Sequence, residues 1–128
     1  MSKKENNTTV LSEKRKVKGA GLLIHRGVLL ILSENFFGKS FVIERPEVII
    51  GRHSSSDISV QDPQVSKVHC SIMADDEGKF YIEDRKSKNG VFLNKKKVRK
   101  KTRILYGDRI VMGNTVFRFF MEEKINKK

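Results

Sequence analysis

Past its first twenty or so residues the chain is written in short apolar runs set apart by residues that make turns. Val28–Leu32 is one run; Asn35-Phe36-Phe37-Gly38 makes a turn, and Lys39–Glu44 then alternates polar and apolar positions. Arg45-Pro46 breaks that pattern, and Val48-Ile49-Ile50 leads into Gly51-Arg52. Ile58–Val60 is brief, while His69–Met73 and Phe80–Asp84 flank Asp75-Asp76-Glu77-Gly78, a good hairpin turn. Val91-Phe92-Leu93 follows Asn89-Gly90, Arg109–Met112 follows Gly107-Asp108, and Thr115–Phe120 alternates after Gly113-Asn114. No window of about 12 residues keeps a helical period. Many short strands punctuated by Gly, Asn and Asp predict an all-β protein, a two-sheet twisted β-sandwich.

The pattern also sets the domain limits. Residues 1–20 are polar, charged and poor in large apolar side chains, which predicts a flexible basic N-terminal tail. Residues 21–121 hold every strand signal and are read as one domain, leaving 122–128 as a short basic C-terminal tail. The whole length of 128 residues suits a single domain.

Charge changes the picture next. The net charge is +12, and the excess gathers in the tail (Lys3, Lys4, Lys14, Arg15, Lys16, Lys18) and in Lys95–Lys101, which holds six cations and no acid. Such surfaces attract phosphorylated protein, nucleic acid or acidic lipid, or simply form a solvated loop and tail. A single cysteine, Cys70, excludes an internal disulfide and in its strand context reads as a small buried hydrophobe. The apolar stretch Gly21–Leu32 is broken by His25 and Arg26, is too short to span a bilayer and lacks the features of a signal peptide. A soluble, cytoplasmic monomer without membrane contact is expected. Lys14-Arg15-Lys16-Val17-Lys18 resembles a nuclear targeting run and leaves the nucleus open.

Four segments carry candidate chemistry, each at the end of a predicted strand: Gly51-Arg52; Ser66-Lys67-Val68-His69; Ser87-Lys88-Asn89-Gly90; and Gly107-Asp108 with Gly113 beyond it. Loops on a rigid sandwich are where binding residues usually sit. In this order and spacing the segments resemble the forkhead-associated (FHA) domain, over about Val28 to Phe120, with the match carried by Val48–Ile72, Phe80–Asn94 and Ile104–Phe119. The resemblance implies a sandwich with a phosphothreonine-peptide site on the loops at one end. Arg52 and Ser66 match the family's phosphate-binding positions, Asn89 the side chain that hydrogen-bonds the peptide backbone, and Lys67 a frequent basic or polar phosphate contact. Lys88 stands where Ser or Thr is common and adds charge at the rim, or crowds it. His69 matches a histidine that braces the phosphate loop, and Gly51 and Gly90 are read as backbone-geometry positions. Gln64 is a candidate contact for the C-terminal side of the peptide. Two further departures, Val91 for the usual Thr and Lys95 for the usual Gly, bear on turn geometry.

The chemistry suits the implied roles. Phosphothreonine carries about 1.5 to 2 negative charges and three acceptor oxygens. Arg52 offers a planar fork of donors, Ser66 a hydroxyl and Lys67 a mobile charge. Hydrogen bonds to charged groups contribute roughly 1.5–3 kcal/mol each, and micromolar affinity, about −8 kcal/mol, remains after the ordering entropy of a short peptide.

An enzyme is not expected. Ser66, His69 and Asp84 lack the nucleophile elbow and oxyanion turn of a hydrolase. No zinc-protease motif, Cys/His cluster or P-loop is present, so no catalytic residue, metal or cofactor is expected. Two alternatives to a threonine-phosphorylated partner remain: nucleic acid gripped by the basic runs, and an unphosphorylated partner bound by a scaffold. The first is disfavoured because Phe80, Phe92, Phe117 and Phe119 fall where strand cores want them, not on a stacking platform.

Overall fold

Alternating apolar positions in the sequence become alternating buried positions in the fold. In β1 (Gly27–Ile31) Leu29 and Ile31 are buried and alternate with the half-exposed Val28 and Leu30. In β11 (Thr115–Met121) Thr115, Phe117 and Phe119 point inward in the same way. A computed structural model describes residues 25–122. Between these two strands lie β2 (Ser40–Ile43), β3 (Glu47–Gly51), β4 (Ile58–Ser59), β5 (Cys70–Ala74), β6 (Phe80–Asp84), β7 (Val91–Leu93), β8 (Lys96–Lys97), β9 (Thr102–Ile104) and β10 (Arg109–Met112). A 3-10 turn, Glu34–Phe36, stands where the Asn35–Gly38 turn is predicted. The predicted N-terminal tail lies outside the described residues, as does the predicted C-terminal tail beyond Glu122.

The strands form two sheets, as the alternation predicts. One has the order β9-β6-β5-β3-β4 and the other β2-β1-β11-β10-β7-β8. Neighbours are antiparallel except β3 and β4, which run parallel. The core lies between the sheets, where Phe80 of β6 meets Phe119 of β11 with ring centroids 5.2 Å apart at 59°. Tilted aromatic pairs of this kind add to the area they bury. Val48, Ile50, Ile72 and Ile82 from one sheet and Leu29, Ile31, Ile43 and Phe117 from the other complete it. Each such side chain contributes about 1.5–3 kcal/mol when fully buried. The outermost paired residues are tied by Arg26 and Glu122: Nε donates to Oε1 at 2.9 Å, and Glu122 N donates to Arg26 O at 2.8 Å. The hydrogen bond from Arg26 holds the Glu122 carboxyl down at about 2.

Two strands escape the sequence pattern. β8 and β9 lie in and just beyond the basic run, where lysines mask the period, so Lys95–Lys101 is strand and ordered connection instead of a plain loop. β8 pairs with β7 and is an edge strand, a place where lysine discourages association with another sheet. Val98, in the middle of the run, is buried. The β7–β8 turn needs left-handed backbone at both central residues, Asn94 (φ 48°) and Lys95 (φ 75°). Asn tolerates that region; Lys does so at a cost of roughly 1 kcal/mol. Lys95→Gly is therefore expected to raise unfolding free energy by about 0.5–1 kcal/mol in urea titrations. A destabilised variant would mean that the lysine side chain itself holds the turn.

Candidate functional site

The strand registers gather four loops at one end of the sandwich. Ile50 at the end of β3 pairs with Cys70 at the start of β5, Cys70 pairs with Asp84 at the end of β6, and Val91 at the start of β7 pairs with Met112 at the end of β10. Loops 52–57, 60–69, 85–90 and 113–114 therefore emerge together.

The first two loops are zipped by their backbones. Arg52 N donates to Ser66 O at 2.9 Å, His53 N to Lys67 O at 3.3 Å, and His69 N to Ile50 O at 2.9 Å. This close approach explains Gly51: a Cβ there would lie 2.0 Å from Lys67 O. Asp57 then folds the outer part of the first loop back, accepting Ile49 N at 2.7 Å and pairing with Arg45. The Ile49 bond chiefly, with help from Arg45, holds its carboxyl below the usual range.

A buried carboxylate fastens the second loop to the fourth. Asp62, 2% exposed, accepts Gln64 N at 2.9 Å on Oδ1, and Asn114 N at 2.7 Å and the Thr115 hydroxyl at 2.8 Å on Oδ2. Sequence reasoning did not single it out. Its signal was the Asp62-Pro63 pair, since an Asp side chain bonding the backbone two residues on is a common turn opener.

His69 joins the second loop to the third. The ring is fully buried; Ser66 N–H can only donate to Nδ1, at 2.9 Å, so Nε2 carries the hydrogen and donates to Gly90 O at 2.9 Å. His69→Ala would leave the Ser66 N–H and the Gly90 carbonyl without partners and open a void. A stability loss of about 2–4 kcal/mol, with weaker ligand binding, is expected from thermal unfolding and titration. A variant that unfolds like the parent yet does not bind would make His69 a ligand contact instead.

The third loop is held by Ser87, whose hydroxyl donates to Asp84 Oδ1 at 2.5 Å and accepts Gly90 N at 2.9 Å, while Gly90 adopts φ +83°. Lys88 N then donates to Ser66 Oγ at 2.9 Å. Asn89 Nδ2 donates to Gln64 O at 2.9 Å and to Gln64 Oε1 at 3.1 Å, which leaves the Asn89 carbonyl oxygen as an acceptor. Arg52 donates through Nε to Val65 O at 2.9 Å. Among the described residues its two terminal amino groups and the Ser66 hydroxyl hydrogen have no protein partner. Lys67 and the Lys88 side chain are exposed. Arg52, Ser66, Lys67, Lys88 and Asn89 thus come together, framed by Gly51, His69 and Gly90. Gln64 is bonded by Asn89 and stays exposed beside it.

Open grooves run from both sides of this cluster. One, about 290 Å³, is lined by Gln64, Asn89, Phe92, Val111, Gly113 and Asn114; the other, about 470 Å³, by Ile49, His53, Ser55, Ser56, Asp57, Lys67 and Val68. Ser66 and His69 do not form a hydrolytic relay: the ring takes the backbone N–H, and Asp84 holds Ser87. Cys70 is fully buried, which pushes its thiol well up and keeps it unreactive. Among the described residues no helix is long and apolar enough to cross a membrane.

A two-sheet β-sandwich with cationic and hydroxyl-bearing loops gathered at one end is a binding architecture. The FHA domain profile matches residues 48–113, and the chain belongs to the FHA domain family. It is 32% identical over 87 residues to the oxoglutarate dehydrogenase inhibitor of Corynebacterium diphtheriae, spanning 68% of this chain and 59% of that protein. It is 32% identical over 76 residues to the glycogen accumulation regulator GarA of Mycolicibacterium smegmatis, spanning 59% of this chain and 47% of GarA. The matched region is thus about half to three fifths of these relatives' length. Among solved structures, the FHA domain of the CT664 protein from Chlamydia trachomatis superposes with a TM-score of 0.69 at 27% identity, covering 74% of this chain and 96% of that one.

Proposed function

We propose that the chain binds phosphothreonine segments of a partner protein and so recruits that partner, in the cytoplasm, when a separate Ser/Thr kinase has acted. The observation that carries this reading is the joining of three loops through Ser66, whose carbonyl accepts Arg52 N and whose hydroxyl oxygen accepts Lys88 N. In this reading the terminal amino groups of Arg52 take two phosphate oxygens, the Ser66 hydroxyl donates to the third, and Lys67 and Lys88 supply mobile positive charge. The Asn89 carbonyl oxygen accepts a peptide backbone N–H beside the phosphothreonine. Gly51, His69 and Gly90 keep the loops at the right separation without touching ligand. Relatives named as an inhibitor and as a regulator support a binding role over catalysis.

A phosphothreonine peptide library, with phosphoserine and unphosphorylated controls, tests the reading. Micromolar binding is expected for phosphothreonine, about −8 kcal/mol. The threonine methyl should favour it over phosphoserine by about fourfold, the worth of one buried methyl, with the stiffer β-branched chain adding to that. Affinity should fall as pH drops through about 6, where the phosphate loses its second charge. No gain from phosphorylating threonine would sink the reading.

A further inference from the structure

The phosphate cluster does not use the densest charge on the molecule. Lys95, Lys96, Lys97, Arg99 and Lys100 are all exposed, and among the described residues none of them is paired with a carboxylate. Five like charges on so short a segment repel one another, a standing cost that an anionic ligand would lower. The segment is also shaped. A groove of about 670 Å³ opens along it, lined by Leu93 and the mostly buried Val98 together with Lys96, Lys97, Arg99 and Lys100.

Lys97 stands between this groove and the phosphate cluster. The end of the Lys97 side chain lies against the Asn89–Gly90 turn: its Cε is 3.1 Å, and its Nζ 3.8 Å, from where a Gly90 Cβ would stand. Lys97 also pairs across the sheet with Phe92, which lines the groove beginning at Asn89. A ligand leaving the Asn89 side of the cluster in extended form, at about 3.3 Å per residue, therefore meets Lys97 within a few residues.

From this adjacency we infer that the β7–β8 hairpin and the residues after it form a second subsite, which receives an acidic stretch, with an aliphatic anchor, of the same phosphothreonine-bearing segment. The inference rests on the phosphothreonine reading above. Peptide fits better than nucleic acid because the groove is lined by Leu93 and Val98 and by no aromatic side chain on which bases would stack. Exposed pairs of this kind are individually weak, so the subsite tunes partner choice and association rate more than it anchors the ligand.

The test uses the full chain and three phosphothreonine peptides: one with neutral flanks, one with an Asp/Glu block before the phosphothreonine and one with the block after it. One acidic peptide is expected to bind about fivefold more tightly than the neutral one at low salt, with the gain shrinking at high salt. The combined Lys96→Gln, Lys97→Gln, Arg99→Gln and Lys100→Gln variant should lose that gain and keep its affinity for the neutral peptide. Equal binding of all three peptides by the parent overturns the subsite and leaves the phosphate reading standing, whether or not the variant folds. Failure of the neutral phosphopeptide itself overturns the phosphate reading. A single-stranded oligonucleotide that binds through the same four side chains more tightly than the acidic peptides assigns the groove to nucleic acid and also overturns the inference.

Discussion

Arg52→Ala is expected to weaken phosphothreonine-peptide binding by about a hundredfold or more, the loss of two charge-assisted hydrogen bonds. The fold should survive. The only protein bond its side chain makes among the described residues is from Nε to Val65 O, while the backbone bond from Arg52 N to Ser66 O does not depend on the side chain. Losing that single Nε bond costs about 0.5–1.5 kcal/mol, a small downward shift in melting temperature. Arg52→Lys should recover only part of the affinity, because an ammonium replaces the charge but not the planar fork. Isothermal titration of both variants beside thermal unfolding separates these effects. Parent-like affinity in Arg52→Ala would remove the guanidinium from the account.

Gly51→Ala should have the larger effect on stability. The added Cβ would lie 2.0 Å from Lys67 O and 2.8 Å from Lys67 C. Both are backbone atoms, so no side-chain rotation relieves the clash, and one loop must move by more than 1 Å. That movement strains the bonds from Arg52 N to Ser66 O and from Val60 N to Gly51 O, both 2.9 Å. A loss of about 3 kcal/mol or more is expected, together with loss of peptide binding, since the displaced loop carries Ser66 and Lys67. The urea midpoint reports the first and titration the second. An unchanged midpoint would mean that the two loops are not packed backbone to backbone.

The fold was legible because its strands alternate. Leu29, Ile31, Phe117 and Phe119 advertise a buried face, and Asp75–Gly78, Asn89-Gly90, Gly107-Asp108 and Gly113-Asn114 mark turns. The alternation fails where edge position puts charge in strands: in Lys96–Lys97 only Val98 beyond them speaks for burial, and Thr102–Ile104 is too short to show a period. Val91, a departure from the family's usual Thr, is fully buried, which suits its apolar side chain.

The cluster at the loop end was legible to the extent that its residues sit at strand ends as ordered dipeptides. What the sequence hides are bonds made by backbone and by unremarkable side chains. Lys88 meets Ser66 through its backbone N–H, which any residue supplies. Ser87 and Asp62 hold the turns through contacts to Gly90 and Asn114, and neither residue type is rare enough in loops to stand out. Gln64, a candidate ligand contact, also holds Asn89, because the Asp62 turn presents its carbonyl there.

The most direct test follows backbone amide shifts of the isotope-labelled chain by NMR while a phosphothreonine peptide, and then its unphosphorylated twin, is added. The account predicts that the phosphorylated peptide moves the amides of Arg52, His53, Ser66, Lys67, Lys88 and Asn89 most, and that its twin leaves them in place. Equal shifts from both peptides, or shifts centred on the opposite end of the sandwich, would contradict it.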